Sequence, residues 1–230
     1  MMESPTAVGK PVEEYDFYRS GAYQQVLGTG QVRKQMERVH RQMESPYGSM
    51  HFSRILEIGA GIGEHSKFVQ STSDQYFMTD IRVDLLLSAL PARPDLVIEE
   101  QNVQSLSYPD HFFDRVIMTC VLAHVPDPMV ALSEIKRVSM PGAFVTIYVP
   151  CEPGIVLRLA REFTTLPKNR KAGVPDPAFH HYREHVHYYL ALNHFIRKVF
   201  NGSRIRSRYF PLPFGTWNTN LYRIYQIHVN

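Results

Sequence analysis

Between Arg54 and Pro150 the chain alternates short apolar runs with stretches at helical spacing, and this alternation constrains the fold more than any other feature. The apolar runs are "RILEIG", "QYFMTD", "DLVIEE", "FFDRVIMTCV" and "AFVTIYVP". They are nearly continuously hydrophobic, as strands are when helices cover both faces of a sheet. Between them, "GEHSKFVQST", "VDLLLSAL" and "DPMVALSEIKRV" read as helices. Asp127 is placed to cap the last of these and Pro128 fits its first turn. Gly142 follows its end, with "MPG" read as a turn. Strands alternating with helices predict a doubly wound, mostly parallel α/β sheet.

The pattern changes at both ends. Residues 1–50 read as an N-terminal helical cap, with Val32, Met36, Val39 and Met43 at helical spacing. Residues 51–150 form the α/β core. Residues 151–201 read as a helical insertion: "CEPGIVLRLAREFTT" is helical, "LPKNRKAGVPDPAF" is a loop and "HHYREHVHYYLALNHFIRKVF" is helical again. Residues 202–230 hold two β-rich runs, "SRIRSRYFPLPF" and "NLYRIYQIHVN", expected to complete the same sheet.

A length of 230 residues suits one domain with an insertion, and 44% hydrophobic with 20% charged residues is ordinary for a globular chain. No run of 18 apolar residues suggests a membrane span, and the first residues lack a basic-then-apolar signal pattern. A cytoplasmic location is expected. Cys120 and Cys151 make neither a disulfide framework nor a zinc-ligand pattern. Charge is unevenly spread. Residues 1–150 carry 13 Lys/Arg against 18 Asp/Glu, a balance of −5, whereas residues 151–230 carry 12 against 4, a balance of +8. The basic part is either a solvated face or an attraction for an anionic substrate or surface.

Gly59, Gly61 and Gly63 follow the first strand, in "LEIGAGIG". Glycines here let a ligand approach the backbone, and the start of the next helix offers N–H groups. A dinucleotide site needs G-x-G-x-x-G, but the place of its third glycine is taken by Glu64, which would repel a pyrophosphate. Glu57 before the glycines suits a cationic ligand instead. S-adenosylmethionine has an ammonium and a sulfonium and no phosphate, so the E-x-G-x-G-x-G spelling points to it.

Residues 50–150 resemble the class I S-adenosylmethionine-dependent methyltransferases, in particular the small-molecule group related to ubiquinone-biosynthesis enzymes. The resemblance rests on "LEIGAGIG", "MTDIR", "NVQSLSYPDHFFDRVIMTCVLAHVPDP" and "LSEIKRVSMPGAFVTIYVP", in that order. It implies a seven-stranded Rossmann-like sheet with an antiparallel last strand, and a cofactor site made of Glu57, Gly59, Ala60, Gly61, Gly63, Asp80, Ile81, Asn102, Val103, Thr119 and Cys120. Asp80 would accept the ribose hydroxyls, or else cap the helix after it. Ile81 would pack on the adenine. Asn102 stands where the family often has an acid for the adenine amino group. Thr119 and Cys120 end the fourth strand, where carbonyls in the family face the cofactor's ammonium.

No amino-methylation motif of the nucleic-acid or protein-glutamine enzymes is present, and no RNA-binding module is visible. The tail resembles, through "PCEPG", "REHVHYY" and "WNTNLYRIYQI", methyltransferases of bacterial polysaccharide gene clusters. That implies a small-molecule or glycan acceptor, such as a sugar, a nucleotide sugar or a phosphorylated carrier, and O-methylation as the reaction. N-methylation of an amino sugar or small amine, and a non-catalytic cofactor-binding module, are the alternatives. A hydroxyl acceptor needs a base. The candidates are His124 in "LAHVP", which could instead bond the 125–128 turn, and His181 with His185, at i and i+4 in "HHYREHVHYY". Tyr18, Glu152, His180 and Tyr182 are expected to touch the acceptor, although Glu152 could equally cap the helix after it. No metal is expected, because the histidines lack H-E-x-x-H spelling.

Overall fold

The computed structural model describes residues 30–89, 94–174 and 176–230. Helix α1 (Gly30–Glu44) precedes strand β1 (His51–Ile58), and a 3₁₀ turn (His65–Phe68) leads to β2 (Thr72–Asp80). Then come α2 (Val83–Ala89), β3 (Leu96–Glu100), β4 (Phe113–Thr119), α3 (Pro128–Val138) and β5 (Ser139–Pro150). The insertion holds α4 (Ile155–Phe163), α5 (Thr165–Lys171), α6 (Pro177–Glu184) and α7 (Tyr189–Val199). Strand β6 (Arg204–Phe210), a 3₁₀ turn (Trp217–Thr219) and β7 (Tyr222–His228) follow.

The seven strands form one sheet in the order β3-β2-β1-β4-β5-β7-β6. The strands β1 to β5 pair in parallel, while β7 runs antiparallel between β5 and β6. Two apolar clusters cover the two faces. On one face α3 and α7 contribute Leu132, Ile135, Leu192 and Ile196 against Val116, Val145 and Ile147. On the other, α1 contributes Val39 and Met43 against Ile55, Met78 and Ile117. Coverage on both sides is why the central strands carry unbroken apolar runs.

Asp127 caps α3, accepting from the N–H groups of Met129 and Val130, with Pro128 in the first turn. Four local expectations are corrected. "GEHSKFVQST" is not a helix but a single four-residue 3₁₀ turn, so no helix start stands behind the glycines. "MPG" lies inside β5, at an irregularity in its register with β4, because the chain passes from α3 into the strand without a loop. The "LPKNRKAGVPDPAF" stretch holds most of α5, whose Pro167 sits in the first turn, where its missing N–H costs nothing, and the start of α6. The helical run 180–200 is two helices, broken at residues 185–188.

Candidate active site

The glycine turn joins β1 to the 3₁₀ turn with Gly59, Gly61 and Gly63 all at positive φ. Their reasons differ. A Cβ on Gly59 would lie inside the Val121 side chain, so this glycine lets the turn pack on the segment after β4. A Cβ on Gly61 would meet nothing within 4 Å, so this backbone faces open space, as a ligand cradle does. Ala60 is buried and its N–H donates to the Thr79 carbonyl. Asp80, at the end of β2, is buried. Its carboxylate accepts from the Gly61 N–H at 2.8 Å and from the Arg82 N–H at 2.9 Å. Ile81 beside it is 64% exposed, an apolar surface at the mouth of the turn.

Thr119 and Cys120 close β4. The Thr119 hydroxyl oxygen is buried without a hydrogen-bond partner, and Cys120 is held at φ +60°, a strained backbone for a side chain other than glycine. An orphaned hydroxyl, a strained strand end, a carboxylate and an open glycine backbone together fit a polar cofactor lying across the ends of β1, β2 and β4. Val103 is buried in the core, and Asn102 Oδ1 accepts from the Gln104 N–H at 2.9 Å, closing a local turn.

Glu57 points away from open space. It is buried, accepts from the Tyr76 hydroxyl at 2.6 Å, and burial pushes its carboxyl above the ordinary value, with His65 and Tyr76 acting the other way. Near it runs a polar chain absent from the sequence reading. Arg115, fully buried, donates to Glu44 Oε1 at 2.8 Å, and its guanidinium lies 4.0 Å from the Tyr47 ring centre. His65 Nε2 meets the same Glu44 oxygen at 3.0 Å, and His65 Nδ1 meets His40 Nδ1 at 2.8 Å. Burial alone would raise the Glu44 carboxyl, but Arg115 and His65 hold it below its ordinary value.

On the insertion side a second cluster forms where β5 ends. Glu152 is buried, and its carboxylate oxygens lie 2.7 and 2.8 Å from His185 Nδ1. It also pairs with Arg161. The Arg161 guanidinium in turn donates to His181 Nε2 at 2.7 Å. Burial, then the Arg161 charge, lower His181 to about 2 and His185 to about 3, so both rings are neutral. The ligand atoms of Glu152, His181 and His185 lie within 4.8 Å of one another, the spacing of a cation site, and the cation held there is the guanidinium.

The same residues bind the cluster to the strand ends. Arg161 feels Cys120 and Tyr148, and burial lowers it to about 10. Burial pushes the Cys120 thiol up to about 11, with Arg161 opposing. The exposed His124 ring packs edge-on against His185 at 4.5 Å. A narrow cleft open to solvent is lined by Glu152, Arg161, His181, Tyr182 and Tyr188, among others.

The structure thus brings Glu152, His181 and Tyr182 to one cleft, with His185 against Glu152 and His181 and His124 against His185, and with His180 beside His181 on α6. Glu152 does not cap α4, whose cap is Gly154 with no side-chain bond. Although α6 ends at Glu184, the His185 N–H still donates to the His181 carbonyl and the two rings lie 4.2 Å apart. Tyr18 lies outside the described residues. Arg161 was missed because "LRLAREF" reads as an ordinary amphipathic helix. Only its inward position, one turn after Leu157, could have singled it out.

Residues 56–147 match the model of a methyltransferase domain. A demethylmenaquinone methyltransferase of Renibacterium salmoninarum is 29% identical over 117 residues, which is 51% of this chain and 48% of that protein. A ubiquinone/menaquinone biosynthesis C-methyltransferase of Coxiella burnetii is 25% identical over 142 residues, 56% of this chain and 57% of that protein. The chain spans about half the length of the curated relatives it matches. In fold it is similar to the N-methyltransferase NodS of Bradyrhizobium japonicum, solved with S-adenosylhomocysteine, at a TM-score of 0.62 and 10% identity, covering 95% of this chain and 100% of that one. It is similar also to a Haemonchus contortus phosphoethanolamine N-methyltransferase solved with S-adenosylmethionine, at 0.64 and 14% identity, covering 99% and 62%. No helix among the described residues is long and apolar enough to cross a membrane. The glycine turn, Asp80 and the end of β4 fall within the segment that matches the methyltransferase-domain model, and the fold around them is similar to that of the S-adenosylmethionine-dependent methyltransferases of known structure.

Proposed function

We propose that the chain is an S-adenosylmethionine-dependent methyltransferase that methylates a hydroxyl of a small polar acceptor, with a sugar or sugar-linked molecule as the class to test first. When bound, S-adenosylmethionine supplies an electrophilic methyl group on sulfur. The chain's own residues do the rest. Asp80 offers its remaining lone pairs to the ribose hydroxyls, Gly61 leaves room for the ligand against the backbone, and Ile81 gives the adenine an apolar surface. The Thr119 hydroxyl and the backbone at Cys120 face the amino-acid end.

The observation that carries hydroxyl methylation is the contact of the Glu152 carboxylate with His185 Nδ1 at 2.7–2.8 Å. A carboxylate there fixes the proton on Nδ1 and leaves Nε2 as the lone-pair nitrogen. The acceptor hydroxyl's proton then passes to Nε2, and Glu152 stabilises the imidazolium that forms. His181 is a poorer base, because its Nε2 lone pair is already used by Arg161. Its place is in the acceptor wall, with Tyr182 and His180. His124, edge-on to His185, packs against the ring. Residues 151–201 act as the acceptor-side cover of the 51–150 core.

The test is formation of S-adenosylhomocysteine with a panel of sugars, nucleotide sugars, amines and demethylated quinones. Hydroxyl methylation that falls by roughly 10²–10⁴ in His185→Ala, with cofactor affinity unchanged, supports the assignment. Methylation confined to amines and indifferent to His185 makes it an N-methyltransferase. Cofactor binding without turnover of any class makes it a binding module.

A further inference from the structure

We infer that the outer face of the insertion docks on an anionic membrane surface, an interaction that does not depend on which acceptor is methylated. Helix α4 has two faces of opposite use. Leu157 and Arg161 face the cleft. Ile155, Leu159 and Phe163 recur every four residues on the outer face and are 61%, 50% and 79% exposed. No residue of α4 is buried. An apolar stripe of this kind on a short surface helix is the form of an interfacial helix.

The apolar surface continues on neighbouring elements. Helix α6, which packs on α5, exposes Phe179. The 3₁₀ turn Trp217–Thr219 packs against α4, and the segment entering that turn exposes Leu212 and Phe214. An exposed patch built of several elements is unusual on a protein that meets only water.

Charge selects the occupant. Directly after Phe163, residues 164–175 carry Lys168, Arg170 and Lys171 and no acid. Edge strand β6, which runs into the exposed Leu212–Phe214 segment, presents Arg204, Arg206 and Arg208 outward. Of the four acids in residues 151–230, Glu152 is buried against Arg161, Glu162 lines the cleft side of α4, Asp176 caps α6 and Glu184 ends it. Exposed apolar side chains with Lys and Arg on the adjoining segments match a bilayer with anionic headgroups, where the rings enter the interface and the cations meet phosphate. A self-association patch would need compensating acids on the same surface, and these are scarce.

Sedimentation of the full chain with phosphatidylcholine vesicles, with and without phosphatidylglycerol, tests this. Binding is expected to the mixed vesicles and to fall steeply with salt. Phe163→Asp should weaken it roughly tenfold or more, and so should Arg170→Glu with Lys171→Glu. All are exposed positions outside the cleft, so melting temperature and cofactor binding serve as controls that the variants are folded. Absence of binding to anionic vesicles overturns the inference. So does binding that Phe163→Asp leaves unchanged, and so does a dimer, seen by light scattering, that Phe163→Asp dissolves.

Discussion

Both oxygens of the Asp80 carboxylate already receive backbone N–H groups, from Gly61 and Arg82. Asp80 therefore shapes the glycine turn as well as offering acceptors to a ribose. Asp80→Ala should lower S-adenosylhomocysteine affinity by at least roughly tenfold, since each hydrogen bond to a charged group contributes about 1.5–3 kcal/mol. Calorimetry that finds the affinity intact would remove Asp80 from the cofactor site. Residue identity told much on this side: glycines, an acid and a strand end fall in an order that few ligands explain. It told little about Glu57, because burial beneath Tyr76 depends on a partner 19 residues away. It told nothing of Arg161, whose role comes from meeting Glu152 and His181 in space. The histidines were visible as a cluster, yet which one holds a usable lone pair depends on Glu152 and Arg161, contacts that spacing alone does not show.

Helix α1 lies on the sheet through a buried ion pair as well as through Val39 and Met43. Arg115 donates to Val116 and Phe144 carbonyls as well as to Glu44, so removing Glu44 leaves a buried guanidinium short of its counter-charge. Glu44→Ala should destabilise the fold by about 3–5 kcal/mol, read as a lowered urea midpoint. Arg115→Met added to it should recover part of that loss, because the uncompensated charge is then gone. A Glu44→Ala variant as stable as the parent would show that α1 is held by apolar contact alone. The strands and helix α3 were legible because periodicity and capping are local. The four-residue turn at His65–Phe68 was not, because the sequence there is compatible with a helix. His65 instead turns inward to Glu44 and His40, and those partners lie in α1. Helix α5 was hidden by its proline and basic residues, which read as a loop until Pro167 is seen in a first turn.

Across the molecule, buried neutral histidines set the response to acid. His40 is lowered from 6.5 to about 3 by burial and by His65, against the pull of Glu44. In the unfolded chain it takes up a proton below about 6.5, whereas in the folded chain it does so only near 3. The unfolded state therefore binds more protons in that window, so stability is full above pH 6.5 and declines as pH falls towards 3. The slope for one such histidine is up to about 1.4 kcal/mol per pH unit. Melting temperature should drop between pH 7 and pH 5, and less so in His40→Gln. An equal drop in both proteins would place the acid sensitivity elsewhere. The sheet order carries a different consequence, for synthesis. Strand β7 lies between β5 and β6, yet it is made after both. As the chain leaves the ribosome, β1 to β5 can assemble in parallel, but the flank of β5 stays open and β6 has no neighbour until residues 222–228 emerge. Until then the nascent chain shows a bare hydrogen-bonding edge, the kind that recruits foreign strands. Ribosome stalling before residue 222 would release a species prone to aggregate, and the sheet closes only once residues 222–228 have left the ribosome.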